Sequence, residues 1–447
     1  MKNVFRKISA LLIAAVFMMT AVIPAFAENE AGTAYYVDSE NGNDENDGTS
    51  PESAWKTLSR ANANTFAPGD SLLLRAGQTF EGPFAANGSG SKDAPVTVTS
   101  YGEGGRPLIY SAEKTVLFFI VNVSGWAIDG IDFTGSSAAA IAVIGFERAV
   151  EDIMVKNCTF RDLYREDDNT SMAAISVNCS GAGAAVNNIH LDSLKFFDVG
   201  WAIHTNGQNI EDDEGVFVSP EESYNSDFLF ENLYIENAVY GGIVLSSLRN
   251  GLVRNCRVLS CATALGTAPY APLWMRHSTN VTVEYCEIAG TTNSRDGMAI
   301  DFDGWTTDST YRYIYSHDNN RFIRNCVYDP ETGNSGNSVH HCVSVNDNGK
   351  INHTATPLIS TSRPSFSLMR KFSFYDCTIV NSSPIVWLGT PFADAHGLTF
   401  IGSPFSNFIH MIFNFFSFSK AFTYRTGTAE DVSEMINEIT RDLPTAE

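Results

Sequence analysis

IMVKNCTF, from Ile153 to Phe160, is the stretch that decides the fold, because its pattern returns along the chain. Apolar residues alternate with others, an Asn or Asp often follows, and then come Cys, Leu or Ile, any residue, and another apolar one. Further copies are WAIDGIDF from Trp126, IHLDSLKF from Ile189, FLFENLYI from Phe228, GLVRNCRV from Gly251, VTVEYCEI from Val281, FSFYDCTI from Phe372 and a weaker ADAHGLTF from Ala393. RFIRNCVY from Arg321 and NSVHHCVS from Asn337 fit in part. The spacing is irregular and averages roughly 25 to 30 residues, the range of repeat architectures.

Each copy reads as a strand that ends at a bend. Most follow a second short strand, as in AAISVN at Ala173, WAIHT at Trp201, GGIVL at Gly241, PLWMRH at Pro272 and MAIDFD at Met298. Nothing between them reads as a helix. Parallel strands without helical crossovers suit a coil whose turns stack. One turn buries a handful of apolar side chains, worth about 10 kcal/mol. Ordering about 25 residues costs roughly 1 to 2 kcal/mol each, so a turn persists only when stacked. The expected fold is therefore all-β, a parallel β-helix. A β-sandwich, the alternative, lacks the repeated bend.

Open coil ends need caps. After Tyr35-Tyr36-Val37 and an acidic loop, Ser50 reads as an N-cap, Pro51 as the first helical residue and Glu52 as first-turn acid. A capping helix is expected over about 51–63, inside an N-terminal cap of about 35–66. Composition changes after Gly402: residues 403–422 are Phe-rich, and 429–441 read as a polar helix. Residues 28–402 are assigned to the coil and 403–447 to a C-terminal cap or tail.

Tyr36-Val37-Asp38, the following Gly-Thr-Ser-Pro loop, Trp55-Lys56-Thr57-Leu58, and Pro68-Gly69-Asp70 ahead of Leu72-Leu73-Leu74-Arg75-Ala76-Gly77 resemble the N-terminal portion of secreted right-handed parallel β-helix repeat proteins of the pectin-lyase-like superfamily. Asp296 to Gly304 and Tyr315-Ser316-His317-Asp318-Asn319 also resemble segments of that family. Ile314 and the Phe-rich end depart from its pattern. The resemblance implies the fold. That superfamily includes lyases, hydrolases and proteins without known chemistry, so activity has to be argued from a site.

Period 2 sorts the strand MAIDFD. Met298, Ile300 and Phe302 point inward, so Asp301 and Asp303 point outward together. In PLWMRH, Trp274 and Arg276 point outward by the same rule, and His204 does so two turns further back. In register, these turns would set two carboxylates beside an indole and a guanidinium, with Trp305 at the strand's end. Aromatic faces and carboxylates suit sugars, and two nearby carboxylates split their proton affinities, as glycosidic cleavage needs. Asp296 and His317 are supporting catalytic candidates. The bland reading is a solvated pair, or one salt-bridged to Arg276.

Six of the eight cysteines (Cys158, Cys256, Cys286, Cys326, Cys342 and Cys377) read as one repeat position that alternates with Leu and Ile, which predicts buried free thiols rather than disulfides or metal ligands. No cofactor is called for. Ca²⁺ remains open in the Asp38–Asp47 loop, whose composition Asx-turns explain equally.

Lys2, Arg6 and Lys7, an apolar stretch from Leu11 to Ile23, and Ala25-Phe26-Ala27 read as a bacterial-type signal peptide cleaved after Ala27. The expected location is extracellular, with no membrane span after cleavage. A formal charge of -22 argues against nucleic acid. The expected partner is a polysaccharide or oligosaccharide, and the leading function is glycoside hydrolysis by the Asp pair. A lyase acting on uronates and a non-catalytic glycan-binding or cell-surface structural protein are the alternatives. The sugar, the stereochemistry and the oligomeric state stay open.

Overall fold

The computed structural model describes residues 32–446 apart from 136–137, 147, 165–172, 182, 208–209, 212–216, 219–224, 264–269, 293–296, 327–333, 348–358, 362–371, 381–393 and 415–421. The expected signal peptide, residues 1–27, lies outside the described residues. Parallel strands stack turn upon turn, each turn contributing to three faces, and one apolar core runs from Val37 to Phe400. The chain is the expected right-handed parallel β-helix.

The bend explains the repeat. Asn157, Ser193, Asn232, Asn255, Tyr285, Tyr313, His341 and Asp376 all have φ between 50° and 57°, and Gly130 and Gly397 share the position. Gly and Asn adopt this left-handed backbone at least cost. The residue after each bend turns inward, giving a buried column of Ile131, Cys158, Leu194, Leu233, Cys256, Cys286, Ile314, Cys342, Cys377 and Leu398. Asn side chains tie neighbouring bends together: Asn157 Nδ2 donates to Asp129 at 2.8 Å and Asn232 Nδ2 to Asp192 at 2.7 Å.

The first face carries strands Ala173–Ser180, the ends of Lys195–Asn206 and Tyr234–Ser246, then Leu273–Arg276, Met298–Phe302 and Arg321–Asn325. The second includes Ala185–Asp192, Leu248–Arg254 and the starts of Thr279–Ala289 and Thr310–His317. The third includes Thr159–Leu163, Arg257–Leu259, the ends of those two long strands, Val343–Val345 and Thr378–Val380. Inside it, Phe133, Phe160 and Phe196 stack at 5.1 and 4.8 Å.

Two expectations need correction. The helix over 51–63 is broken: a 3-10 turn spans Pro51–Ser53 and an α-helix only Leu58–Asn62. Between them Trp55 bridges Val37 and stacks on Tyr35 at 5.1 Å, so pairing and ring contact outweigh helix continuity. The cysteine column also holds five residues of the predicted six. Cys326 ends the first-face strand Arg321–Asn325 instead, because its register partners are Met298 to Phe302. All eight cysteines are free and buried.

The C-terminal segment does more than close the end. Helix Pro404–Asn414 follows the last long strand, and Phe422–Thr426 adds another strand to the third face. Helix Ser433–Thr440 then doubles back. Val432, Ile436 and Ile439 pack on Val343, Val345, Val380 and Ile401. The tail continues to Arg257, which donates to the Pro444 carbonyl at 3.1 Å, and to Lys195 at Ala446. Among the described residues no helix is long and apolar enough to cross a membrane.

Candidate functional site

In strand Met298–Phe302 the inward residues Met298, Ile300 and Phe302 have no exposed surface. Phe302 packs on Tyr311 with ring centres 4.8 Å apart. The strand's other side meets its neighbours in register. Trp274 lies opposite Asp301 on one side and Arg324 on the other. The Asp303 amide donates to the Met275 carbonyl at 2.8 Å, and the Cys326 amide to the Phe302 carbonyl at 2.8 Å. Asp303 therefore stands level with Arg276 and Cys326. The structure brings Trp274, Arg276, Asp301 and Asp303 together as neighbours on one face.

The two carboxylates differ in surroundings. Asp301 is 6% exposed, and its Oδ2 lies 3.7 Å from the Cys326 thiol. Asp303 is half-buried and accepts the Gly304 amide at 2.9 Å. One oxygen of each, together with Cys326 Sγ, falls within 4.8 Å. The indole Nε1–H of Trp274, between this pair and the preceding turns, is buried and has no hydrogen-bond acceptor among the described residues. A buried donor left unmade costs about 1 to 3 kcal/mol, which an acceptor from a ligand would recover.

His204 shares the row at a distance. Its register partner is Val244, whose partner is Trp274, so three strand spacings separate it from Asp301. Burial pulls its pKa down to about 4, leaving a neutral ring that can donate and accept. Trp305 stacks on His277 at 4.8 Å and 17°, at the turn after the strand. Burial, followed by the charge of Arg276, holds His277 at about 4.

His317 does not join this group. It lies on the third face, where its Nδ1 meets Asp318 at 2.8 Å and its Nε2 meets Glu287 at 3.2 Å. Arg257 also binds Glu287, at 2.7 Å. Burial opposes protonation of His317, but the bonds to Glu287 and Asp318 outweigh it and raise the pKa. Asp296 lies outside the described residues.

Among the described residues two groups have metal-ligand composition: Asp301, Asp303 and Cys326, and His190, Asp192 and Glu231. Thiolate sulfur suits a softer ion than Ca²⁺. In the second group Arg254 already neutralises Glu231 at 2.6 Å. In the Asp38–Asp47 loop the carboxylates serve the backbone. Asp38 accepts the amides of Glu40 and Asn41, Asp44 those of Lys56 and Thr57, and Asp47 that of Thr49.

Sequence reasoning passed over an aromatic group next to this row. Trp201 stacks on His204 at 5.6 Å and meets Tyr240 at 5.9 Å and Tyr270 at 5.5 Å. Tyr164 touches Tyr240 at 5.7 Å. The available signal was Gly241-Gly242. A Cβ at Gly241 would come within 2.6 Å of Trp201 Cζ3, so the missing side chain lets the indole lie across the next turn.

No protein-family model matches the sequence. A lacto-N-biosidase of Bifidobacterium longum subsp. longum is 27% identical over 197 residues, 38% of this chain. That match spans only 12% of the relative's own length. An alpha-1,3-galactosidase A of Akkermansia muciniphila is 42% identical over 64 residues, 14% of this chain and 11% of that protein. Among solved structures, the GH136 lacto-N-biosidase of Eubacterium ramulus superposes with a TM-score of 0.63 at 18% identity, covering 89% of this chain and 68% of that one. At such identity the likeness is one of fold, and it agrees with the stacked parallel strands described above: this chain is a right-handed parallel β-helix.

Proposed function

We propose that the chain is a secreted glycoside hydrolase acting on oligosaccharide or polysaccharide. The observation that carries this is the row itself: two carboxylates within 4.8 Å on one strand, flanked in register by Trp274 and Arg276. Asp303, the half-exposed member, is the carboxylate that meets the substrate. Asp301 stands beside it, buried against the Cys326 thiol. Carboxyl groups about 5 Å apart correspond to a retaining mechanism, in which one attacks the anomeric carbon and the other protonates the leaving oxygen. Asp296 precedes this strand in the chain and is the rival for the second role. The two relatives matched over part of their length are by name a lacto-N-biosidase and an alpha-1,3-galactosidase, which makes lacto-N-biose-terminated and α-galactosyl oligosaccharides the first substrates to try.

The test is a glycan panel read for reducing ends and for ultraviolet-absorbing unsaturated products, with D296N, D301N and D303N beside the unaltered protein. D303N should lose at least about a thousandfold in kcat/KM. A second variant losing as much identifies the partner carboxylate. Full activity of D303N refutes the proposal. Unsaturated products would favour the lyase reading, in which Arg276 and Arg324 neutralise a uronate carboxylate. Binding without turnover would favour an adhesive protein.

A further inference from the structure

The aromatic group beside His204 is a built surface. Trp201, Tyr240 and Tyr270 come from three successive turns, and each keeps part of its ring exposed. They have not joined the apolar core, although the core lies one side chain away. Gly241 keeps the adjoining turn free of a side chain where the indole crosses it. The group leads toward the carboxylates in two ways. His204, stacked on Trp201, sits in the row that runs through Val244 and Trp274 to Asp301. Tyr270 also accepts the Gly297 amide at 3.3 Å, at the start of the Asp strand.

We infer that Trp201, Tyr240 and Tyr270 form a distal sugar subsite, and that an oligosaccharide crosses the first face from this platform to Asp303. The inference deepens the hydrolase reading and rests on it for direction, not for the existence of the subsite. His204, which stacks on the platform, is three strand spacings or about 14 Å from Asp301, the reach of a short oligosaccharide rather than a monosaccharide. The chemistry of the platform also selects the ligand class. It offers rings, phenol hydroxyls and a neutral imidazole, with no cation among these residues. A pyranose with an apolar face stacks there, whereas a uronate carboxylate meets no charge partner. Tyr270 stays a neutral phenol, since burial raises its pKa.

Binding is to be measured by calorimetry on full-length D303N, which separates affinity from turnover. The probes are a neutral lacto-N-biose-terminated tetrasaccharide, a neutral α-galactosyl trisaccharide and an oligogalacturonate. At least one neutral probe should bind, and the oligogalacturonate should bind more weakly. In the same background, Trp201→Ala and Tyr270→Ala should each weaken the neutral ligand about tenfold. Trp201→Phe, which keeps a ring, should restore most of the affinity. Unchanged affinity in either alanine variant with an unchanged unfolding midpoint overturns the subsite, as does failure of every neutral probe to bind. If Trp201→Ala fails to fold, Tyr270→Ala and Trp201→Phe decide. Loss of the subsite with D303N still inactive leaves the hydrolase standing. Platform-dependent binding with an active D303N sinks the hydrolase site and spares the subsite.

Discussion

Replacing Asp347 with Asn should stabilise the protein at neutral pH. Asp347 has no exposed surface. Its Oδ1 accepts the amide and the side-chain Nδ2 of Asn319, and its Oδ2 accepts the hydroxyls of Ser316 and Ser344. Burial dominates these bonds and raises the carboxyl from 3.8 to about 6. A raised pKa means that the folded state holds its proton more tightly than the unfolded chain does. The associated stability is therefore complete below about pH 3.8 and is lost as pH rises through about 6. At 1.36 kcal/mol per pH unit the loss is about 3 kcal/mol by pH 7. Asn at this position has a precedent one turn back: Asn319 accepts the Thr291 amide through its oxygen and donates to the Ile288 carbonyl. Guanidinium unfolding of both proteins at pH 3.5 and pH 7.5 reads the effect. The variant's advantage should appear at pH 7.5, reach up to about 3 kcal/mol, and shrink at pH 3.5. A difference that is independent of pH, or a variant weaker at pH 7.5, would refute the reasoning.

Two further outcomes follow from burial. All eight thiols are buried, and burial lifts Cys158 and Cys261 to about 12; a disulfide-exchange reagent at pH 8 should label none in the native protein and eight after unfolding. Ile439→Ala should loosen the returning C-terminal helix from Val343, Val345, Val380 and Ile401 by about 2 kcal/mol or more, seen as faster proteolysis beyond Thr428 while the coil stays intact.

The coil was legible in the sequence because one backbone requirement recurs. A left-handed bend at Asn157, Asn232 or Asn255, followed by one compact inward residue, leaves a visible signature each time. The outward direction of Asp301 and Asp303 was equally legible, since Met298, Ile300 and Phe302 fill the other side. The same dipeptide misled at Asn325-Cys326. Ile323 stands two residues before that Asn just as Val155 stands two before Asn157, so local alternation cannot separate a bend from a strand end. Only the register with Met298–Phe302 does. The aromatic platform was hidden for a related reason: Trp201, Tyr240 and Tyr270 are about thirty to forty residues apart and meet only when turns stack.

Period 2 also fails wherever both sides of a strand are covered. On the third face Val343 and Val345 project outward and are nevertheless buried, because Val432 and Ile439 lie over them. An apolar residue at an outward position there marks a lid made by the chain itself. The first face shows the polar counterpart. Every residue from Met298 to Phe302 is buried, yet the outward one is an Asp with guanidinium-bearing residues in both neighbouring turns. Core packing alone would place Val or Ile at that position, as Val244 does two turns earlier in the same row. Holding a carboxylate in such surroundings costs stability unless it is paired. Outward apolar residues thus stand where a tail docks, and a buried outward carboxylate stands beside Asp303, and this difference between faces is the physical ground for proposing that the chemistry lies on the first.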